Sequence, residues 1–268
     1  MKPLYVSDLD GTLLTSDAAL SFESARILSE LVKNGILFTY ATARSFITAS
    51  KVTKNLSVSI PAIVYNGAFI VDHLTGEILV RNTFGNDAQA ILSSLMSAGV
   101  FPIVYSMTEG RERFSYLKGK TTEGIDRFLN TRKGDKRMRT VTDEKKLFDG
   151  DIFYFTCIDS ETTLAPFFDR FHTAFNAVFH KDIYTRDPWL EIMPKAASKA
   201  NAVKTLKDMV GADKIIAFGD GLNDLELFQI ADECYAVQNA HDLLKRNATA
   251  VIGRNDEDAV PKWLSEHT

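Results

Sequence analysis

Residues 3–14 read Pro-Leu-Tyr-Val-Ser-Asp-Leu-Asp-Gly-Thr-Leu-Leu: an apolar run, two acids separated by one residue, then a glycine. The run at 3–7 predicts a buried strand. Side chains alternate along extended backbone, so Asp8 and Asp10 share a side for as long as the chain stays extended. Gly11 then lets the chain turn away. Polar residues at the carboxyl end of a buried parallel strand are where an open α/β sheet places its ligands.

The neighbouring segments supply that sheet. Residues 36–41 and 61–65 predict two further buried strands. Between the three strands lie a helix over 22–33, capped by Ser21 with Ile27, Leu28 and Leu31 on one face, and a second helix over 45–55. Strand and helix in alternation predict a parallel sheet with helices on its faces. The pattern returns near the end, with helices over 198–209, 222–231 and 256–265 and strands over 214–218 and 233–237. Between the two stretches the alternation weakens. A helix over 87–98, a strand over 101–105 and a helix over 162–172 are legible. In the last of these Leu164, Phe167, Phe168 and Phe171 form a core-facing stripe. The predicted organisation is a core of residues 1–82 and 189–268, split by an inserted domain of residues 83–188. The basic cluster at 132–139 reads as a solvated loop or as a holder of an anionic substrate.

The polar residues that follow each predicted core strand are Asp8, Asp10 and Thr12; Thr42 and Arg44; Asn66; and Asp220, Asn223 and Asp224. If the strands are neighbours, four carboxylates meet on one rim and repel unless neutralised. All-oxygen ligands suit a hard cation such as Mg²⁺. A calcium-binding EF-hand loop is excluded, because neither register of the Asp-Leu-Asp-Gly segment puts acids and glycine at the required positions. An aspartate nucleophile serves phosphoryl transfer, which demands positioning and charge neutralisation. Asp8 would attack, while Asp10 would protonate the leaving group and later activate water. Several residues have a plainer reading alongside. Thr42 also reads as a helix cap, Arg44 as a structural ion pair, Asn66 as a turn former, and Trp189 and Glu191 as packing or hinge residues. The histidines form no ligand pair.

Composition narrows the rest. The chain has 268 residues, with 45% hydrophobic and 25% charged residues and a formal net charge of -4, so it lacks the basic excess of a general nucleic-acid binder. No apolar stretch approaches the ~20 residues that span a bilayer. Cys157 and Cys234 are far apart in sequence and read as buried thiols. A cytoplasmic location is expected, and a monomer and a homodimer both suit the charge distribution.

These motifs resemble those of the haloacid dehalogenase (HAD) superfamily. The resemblance runs through Asp8-Leu-Asp10-Gly-Thr-Leu-Leu, Thr42-Ala43-Arg44, Asn66-Gly67 and Gly219-Asp220-Gly-Leu-Asn223-Asp224. Glu191-Ile-Met-Pro followed by Ser198-Lys199-Ala-Asn-Ala resembles the lysine motif of the Cof-like phosphatase branch, with alanine at 200 where glycine is frequent. The resemblance implies a Rossmann-like parallel-sheet core with an inserted α/β cap domain. It implies an Mg²⁺-dependent phosphatase acting on a small phosphorylated metabolite through an aspartyl-phosphate. Catalysis falls to Asp8, Asp10, Thr42 and Lys199, with Lys199 preferred to Lys195. Substrate contacts fall to Thr42, Ala43, Arg44, Asn66, Lys199 and Asn223. The metal falls to Asp8, Asp10, Asp220, Asn223 and Asp224. Phosphomutases and phosphotransferases of the superfamily share Asp8 and Asp10, and a binding protein on the same fold would lack one of the catalytic groups. A haloacid dehalogenase fits poorly, since Asp10 and the later carboxylates suit phosphate and a cation.

Overall fold

The computed structural model describes residues 2–182 and 185–268. In chain order the first segment forms β1 (Pro3–Ser7), α1 (Phe22–Lys33), β2 (Leu37–Tyr40), α2 (Phe46–Val52), β3 (Ala62–Val64), β4 (Phe69–Val71) and β5 (Ile78–Arg81). A second group follows: α3 (Asp87–Ser97), β6 (Ile103–Thr108), β7 (Arg111–Leu117), α4 (Glu123–Thr131), β8 (Met138–Val141), β9 (Asp151–Ile158), α5 (Glu161–Phe171), β10 (Asn176–Lys181) and β11 (Pro188–Met193). The chain then returns through α6 (Lys199–Val210), β12 (Lys214–Gly219), α7 (Leu225–Ile230), β13 (Glu233–Ala236), α8 (Asp242–Arg246), β14 (Ala250–Val251) and α9 (Ala259–His267).

Two compact units result. The first comprises Met1–Arg81 and Ala197–Thr268, the second Asn82–Ala196. Residues 189–196, which the sequence groups with the returning core, lie in the second unit, where β11 pairs with β9 and β10.

The first unit is built on a parallel sheet in the order β14-β13-β12-β1-β2. β1 is central and almost wholly buried, which is why it reads as an apolar run rather than an alternation. A single parallel bridge, Ala41 to Ile63, carries the order on to β3. From β1 the chain builds outward through β2 and β3. After the insertion it builds the other way, through β12, β13 and β14. The topological switch point therefore lies between β1 and β12, and open α/β sheets bind ligands at the carboxyl ends of the strands flanking such a point. Local signals start the helices: Ser21 caps α1 by accepting from the Ser24 amide, and Ser45 caps α2 by accepting from the Thr48 amide.

The second unit holds a sheet in the order β10-β11-β9-β6-β7-β8, antiparallel except for the β7–β8 pair. Ile91, Leu92 and Leu95 of α3 and Leu164 and Phe171 of α5 pack against Phe155, Leu190 and Ile192 of the sheet. The aromatic stripe of α5 is thus core. The basic cluster at 132–139 departs from a simple solvated loop. Arg137 is buried, with Glu112 at 2.5 Å and Asp135 at 2.6 Å, and Arg139 pairs with Asp149 at 2.6 Å. A buried guanidinium requires such partners. A Rossmann-like core with an inserted mixed-sheet cap domain is the fold class that the sequence predicts.

Candidate active site

The register of β1 fixes the site. Ser7 is the last paired residue, opposite Phe218 on one side and Tyr40 on the other. The Asp8 amide still donates to the Phe218 carbonyl at 2.9 Å, and the chain then leaves the sheet in one wide turn over Leu9–Leu13, closed by the Leu14 amide on the Leu9 carbonyl at 2.8 Å. Gly11 makes this turn possible in two ways. Its φ is +78°, and an added Cβ would overlap Asp220 Oδ2.

Around this turn the acids converge. Lys199, the first residue of α6, is buried and donates from Nζ to Asp8 Oδ1 at 2.5 Å and to Asp224 Oδ1 at 2.7 Å. Asp224 Oδ2 accepts the backbone amides of Asp220 and Gly221, each at 3.1 Å, and so shapes the turn after β12. Thr12 donates to Asp220 Oδ1 at 2.8 Å. Oxygens of Asp8, Asp220 and Asp224 lie within 4.8 Å of one another.

Three carboxylates against one ammonium leave an excess of negative charge when all are ionised. Burial raises the Asp8 carboxyl well above the usual range; Lys199 pulls it down, and Asp224 and Asp220 push it up. Burial and Asp224 raise Asp220 to about 6. Burial works against the Lys199 ammonium, but Asp224 and Asp8 outweigh it and hold Lys199 charged. A crowded all-oxygen set with strained ionisation is what a divalent cation relieves, and the cluster is positioned to coordinate one, in keeping with Mg²⁺. Asp224 already uses both oxygens on Lys199 and the turn, so Asp8 and Asp220 have the more accessible lone pairs.

Predicted residues of the first unit join this cluster. Arg44 does not stand apart from the acids: it forms a two-pronged pair with Asp10, Nε to Oδ2 at 2.7 Å and a terminal nitrogen to Oδ1 at 2.5 Å. The Thr42 hydroxyl accepts the Arg44 amide at 3.1 Å, and Ala43 between them is exposed. Asn223 donates to Asn66 Oδ1 at 3.3 Å. Lys195 belongs to the second unit, where it donates to the Thr173 carbonyl at 3.2 Å. Trp189 packs on Phe128, and Glu191 pairs with His180 at 3.4 Å, both in the second unit.

Two residues with no sequence signal brace the turn. Asn239 donates to the Gly11 carbonyl at 2.7 Å and accepts the Asn255 amide at 3.1 Å, and the buried Asn255 side chain donates to the Leu14 carbonyl at 2.9 Å. An asparagine in a loop has no pattern that distinguishes this task from ordinary turn formation.

Gly67 links two motifs. Its φ is +97°, and an added Cβ would overlap the Ser198 carbonyl oxygen, immediately before Lys199. G67A is expected to displace the first turn of α6, to lower stability on the order of 2 kcal/mol, and to reduce phosphate release. Thermal melting and turnover of the variant check this; a variant unchanged in both would show that the contact is unimportant.

Aspartates clustered with one buried lysine at the carboxyl ends of β1 and β12 define an enzyme of the phosphatase kind. Comparison with known proteins agrees. Residues 5–264 match the haloacid dehalogenase-like hydrolases, and the chain belongs to that family. A 5-amino-6-(5-phospho-D-ribitylamino)uracil phosphatase of Bacillus subtilis is 27% identical, over 97% of this chain and 96% of that protein. A second B. subtilis phosphatase of the same name is 24% identical over 99% of this chain and 98% of its own length. A haloacid dehalogenase-like hydrolase from Bacteroides thetaiotaomicron shares the fold with a TM-score of 0.80 at 21% identity, covering 100% of both chains. Among the described residues no helix is long and apolar enough to cross a membrane.

Proposed function

We propose that this protein is an Mg²⁺-dependent phosphatase that hydrolyses a small phosphorylated metabolite through an aspartyl-phosphate on Asp8. The observation that carries the reading is the Lys199 ammonium, buried and shared between Asp8 and Asp224 at 2.5 and 2.7 Å, beside the Asp220 carboxylate.

In this reading an Asp8 oxygen attacks phosphorus while Asp10 gives its proton to the departing oxygen. Water then attacks the aspartyl-phosphate and Asp10 takes the water's proton, returning Asp8 to a carboxylate. Lys199 and Thr42 hold the phosphoryl oxygens, and Asn66, Ala43 and Asn223 border them. Asp8, the Asp10 carbonyl and Asp220 would hold Mg²⁺, with Asn223 and Asp224 supporting it. When bound, the cation neutralises charge on the phosphoryl oxygens. Among sugar phosphates and phosphorylated cofactors or nucleotides, the B. subtilis relatives make 5-amino-6-(5-phospho-D-ribitylamino)uracil the first compound to try.

Phosphate release from a panel containing that compound, hexose phosphates, flavin mononucleotide and pyridoxal phosphate tests the reading. Release is expected with Mg²⁺ and is expected to vanish in EDTA. Folded protein that releases no phosphate from any member, or releases it equally in EDTA, would overturn the proposal.

A further inference from the structure

We propose that Arg44 is a positioning residue whose guanidinium fork aims the Asp10 carboxylate at the water that hydrolyses the phosphoenzyme. This rests on the phosphatase reading above and assigns the step on which Arg44 acts.

The pair is two-pronged, at 2.7 and 2.5 Å, so it fixes the plane and direction of the carboxylate as well as its location. A carboxylate has about four lone-pair sites, and a fork occupies two of them, leaving others to accept a proton. The Asp10 and Arg44 side chains keep 34% and 23% of their exposure, so water can reach the pair.

The main chain under Arg44 is held at both ends. Its amide donates to Thr42 Oγ1 at 3.1 Å, and its carbonyl accepts the Tyr65 amide at 2.9 Å. The Asn66 amide reaches the Thr42 carbonyl at 2.9 Å. Delivering those two amides requires Tyr65 and Asn66 both to adopt φ of +51°. That conformation is uncommon for any side chain and rarest for a bulky one. Strained backbone of this kind persists where surrounding structure enforces it and clusters at functional sites. Here the two amides tie the strained Tyr65–Asn66 pair to the Thr42–Arg44 loop that carries the fork on Asp10.

The step balances without any further reagent. Water oxygen bonds to phosphorus, its proton passes to Asp10, and the bond from phosphorus to Asp8 breaks with its electron pair returning to the Asp8 carboxylate. Loss of the fork slows this step more than it slows attack by Asp8 on an ester with a good leaving group.

The test is pre-steady-state turnover of p-nitrophenyl phosphate with Mg²⁺ by the full chain, as wild type, R44A and R44K. For R44A, kcat is expected to fall ten-fold or more and KM to fall with it. A burst of p-nitrophenol equal to the enzyme concentration should appear, with phosphoenzyme recoverable after acid quench. R44K keeps the charge but not the fork, and should lie between R44A and wild type. If R44A does not fold, the same burst and quench on R44K and R44Q decide. A rise in KM without phosphoenzyme would overturn the proposal and make Arg44 a substrate contact, and full rescue by lysine would overturn the fork. A wild type without Mg²⁺-dependent turnover would sink the phosphatase reading itself, a result distinguishable from either.

Discussion

D8N is expected to abolish turnover, by on the order of 10⁴-fold or more, while leaving the fold intact. The two side chains have nearly the same shape, so the backbone link from the Asp8 amide to the Phe218 carbonyl is not disturbed. The asparagine amide cannot form the acyl-phosphate that splits the reaction into two steps. Its effect on stability follows from the charge around it. Burial and two neighbouring acids already raise the Asp8 carboxyl against the pull of Lys199. A neutral amide removes one charge from a cluster with too many, and Lys199 keeps Asp224 as its partner at 2.7 Å. The melting temperature should therefore equal or exceed that of the wild type. Turnover assays and melting curves on the same preparation check both halves. Sustained multiple turnover by D8N would remove Asp8 as nucleophile. A large fall in melting temperature would show instead that the carboxylate is a structural element.

The parallel core was legible because its strands are buried on both faces and its ligand-bearing residues follow them directly. β1, β2, β12 and β13 appear as short apolar runs, and the acids fall where β1 and β12 stop. The inserted domain obscures this logic. β7 begins Arg-Glu-Arg, and Arg111 is exposed while Phe114 is buried, so its charges mask its strand character. α4 carries Gly124 on its packing face, where a Cβ would overlap Ile158, and a glycine contributes nothing to an apolar stripe. β9 is apolar along almost its entire length and shows no period to separate strand from helix. The boundary after residue 188 has no local mark: β11 is apolar like a core strand, and its pairing with β9 and β10 groups it with the second unit. Within the site, strand ends pointed to the acids, and the resemblance to the haloacid dehalogenase superfamily pointed to Lys199. The partners of those residues were not legible. The Arg44–Asp10 fork spans 34 residues, and the Asn239 and Asn255 braces reach the turn from 228 and 241 residues away. Such long-range pairing leaves no local pattern.

K199M should have the largest effect on stability together with a large effect on activity. Lys199 is the cation that the buried Asp8 and Asp224 share, at 2.5 and 2.7 Å. Methionine fills a similar volume but leaves those carboxylates without a counter-charge. Removing one member of a buried pair costs about 3–5 kcal/mol. The loss should depend on pH. Asp220 is already raised to about 6, and Asp8 is raised as well. Removing Lys199 raises these acids further above their unfolded values. Acids raised in this way favour the folded state when protonated, at low pH, and that benefit is lost as pH rises through their folded values. The deficit of K199M relative to wild type should therefore be small near pH 5 and grow toward pH 8. Mg²⁺ should narrow the gap at pH 8 by supplying positive charge to the same oxygens. It should not restore turnover, because the phosphoryl oxygens still lack the ammonium, a loss of about 10²–10³-fold for a preorganised donor. Melting curves at pH 5 and pH 8, with and without Mg²⁺, check the first part, and steady-state rates check the second. A deficit independent of pH would mean that Lys199 acts through packing rather than charge, and near-normal turnover with Mg²⁺ would remove it from the phosphate site.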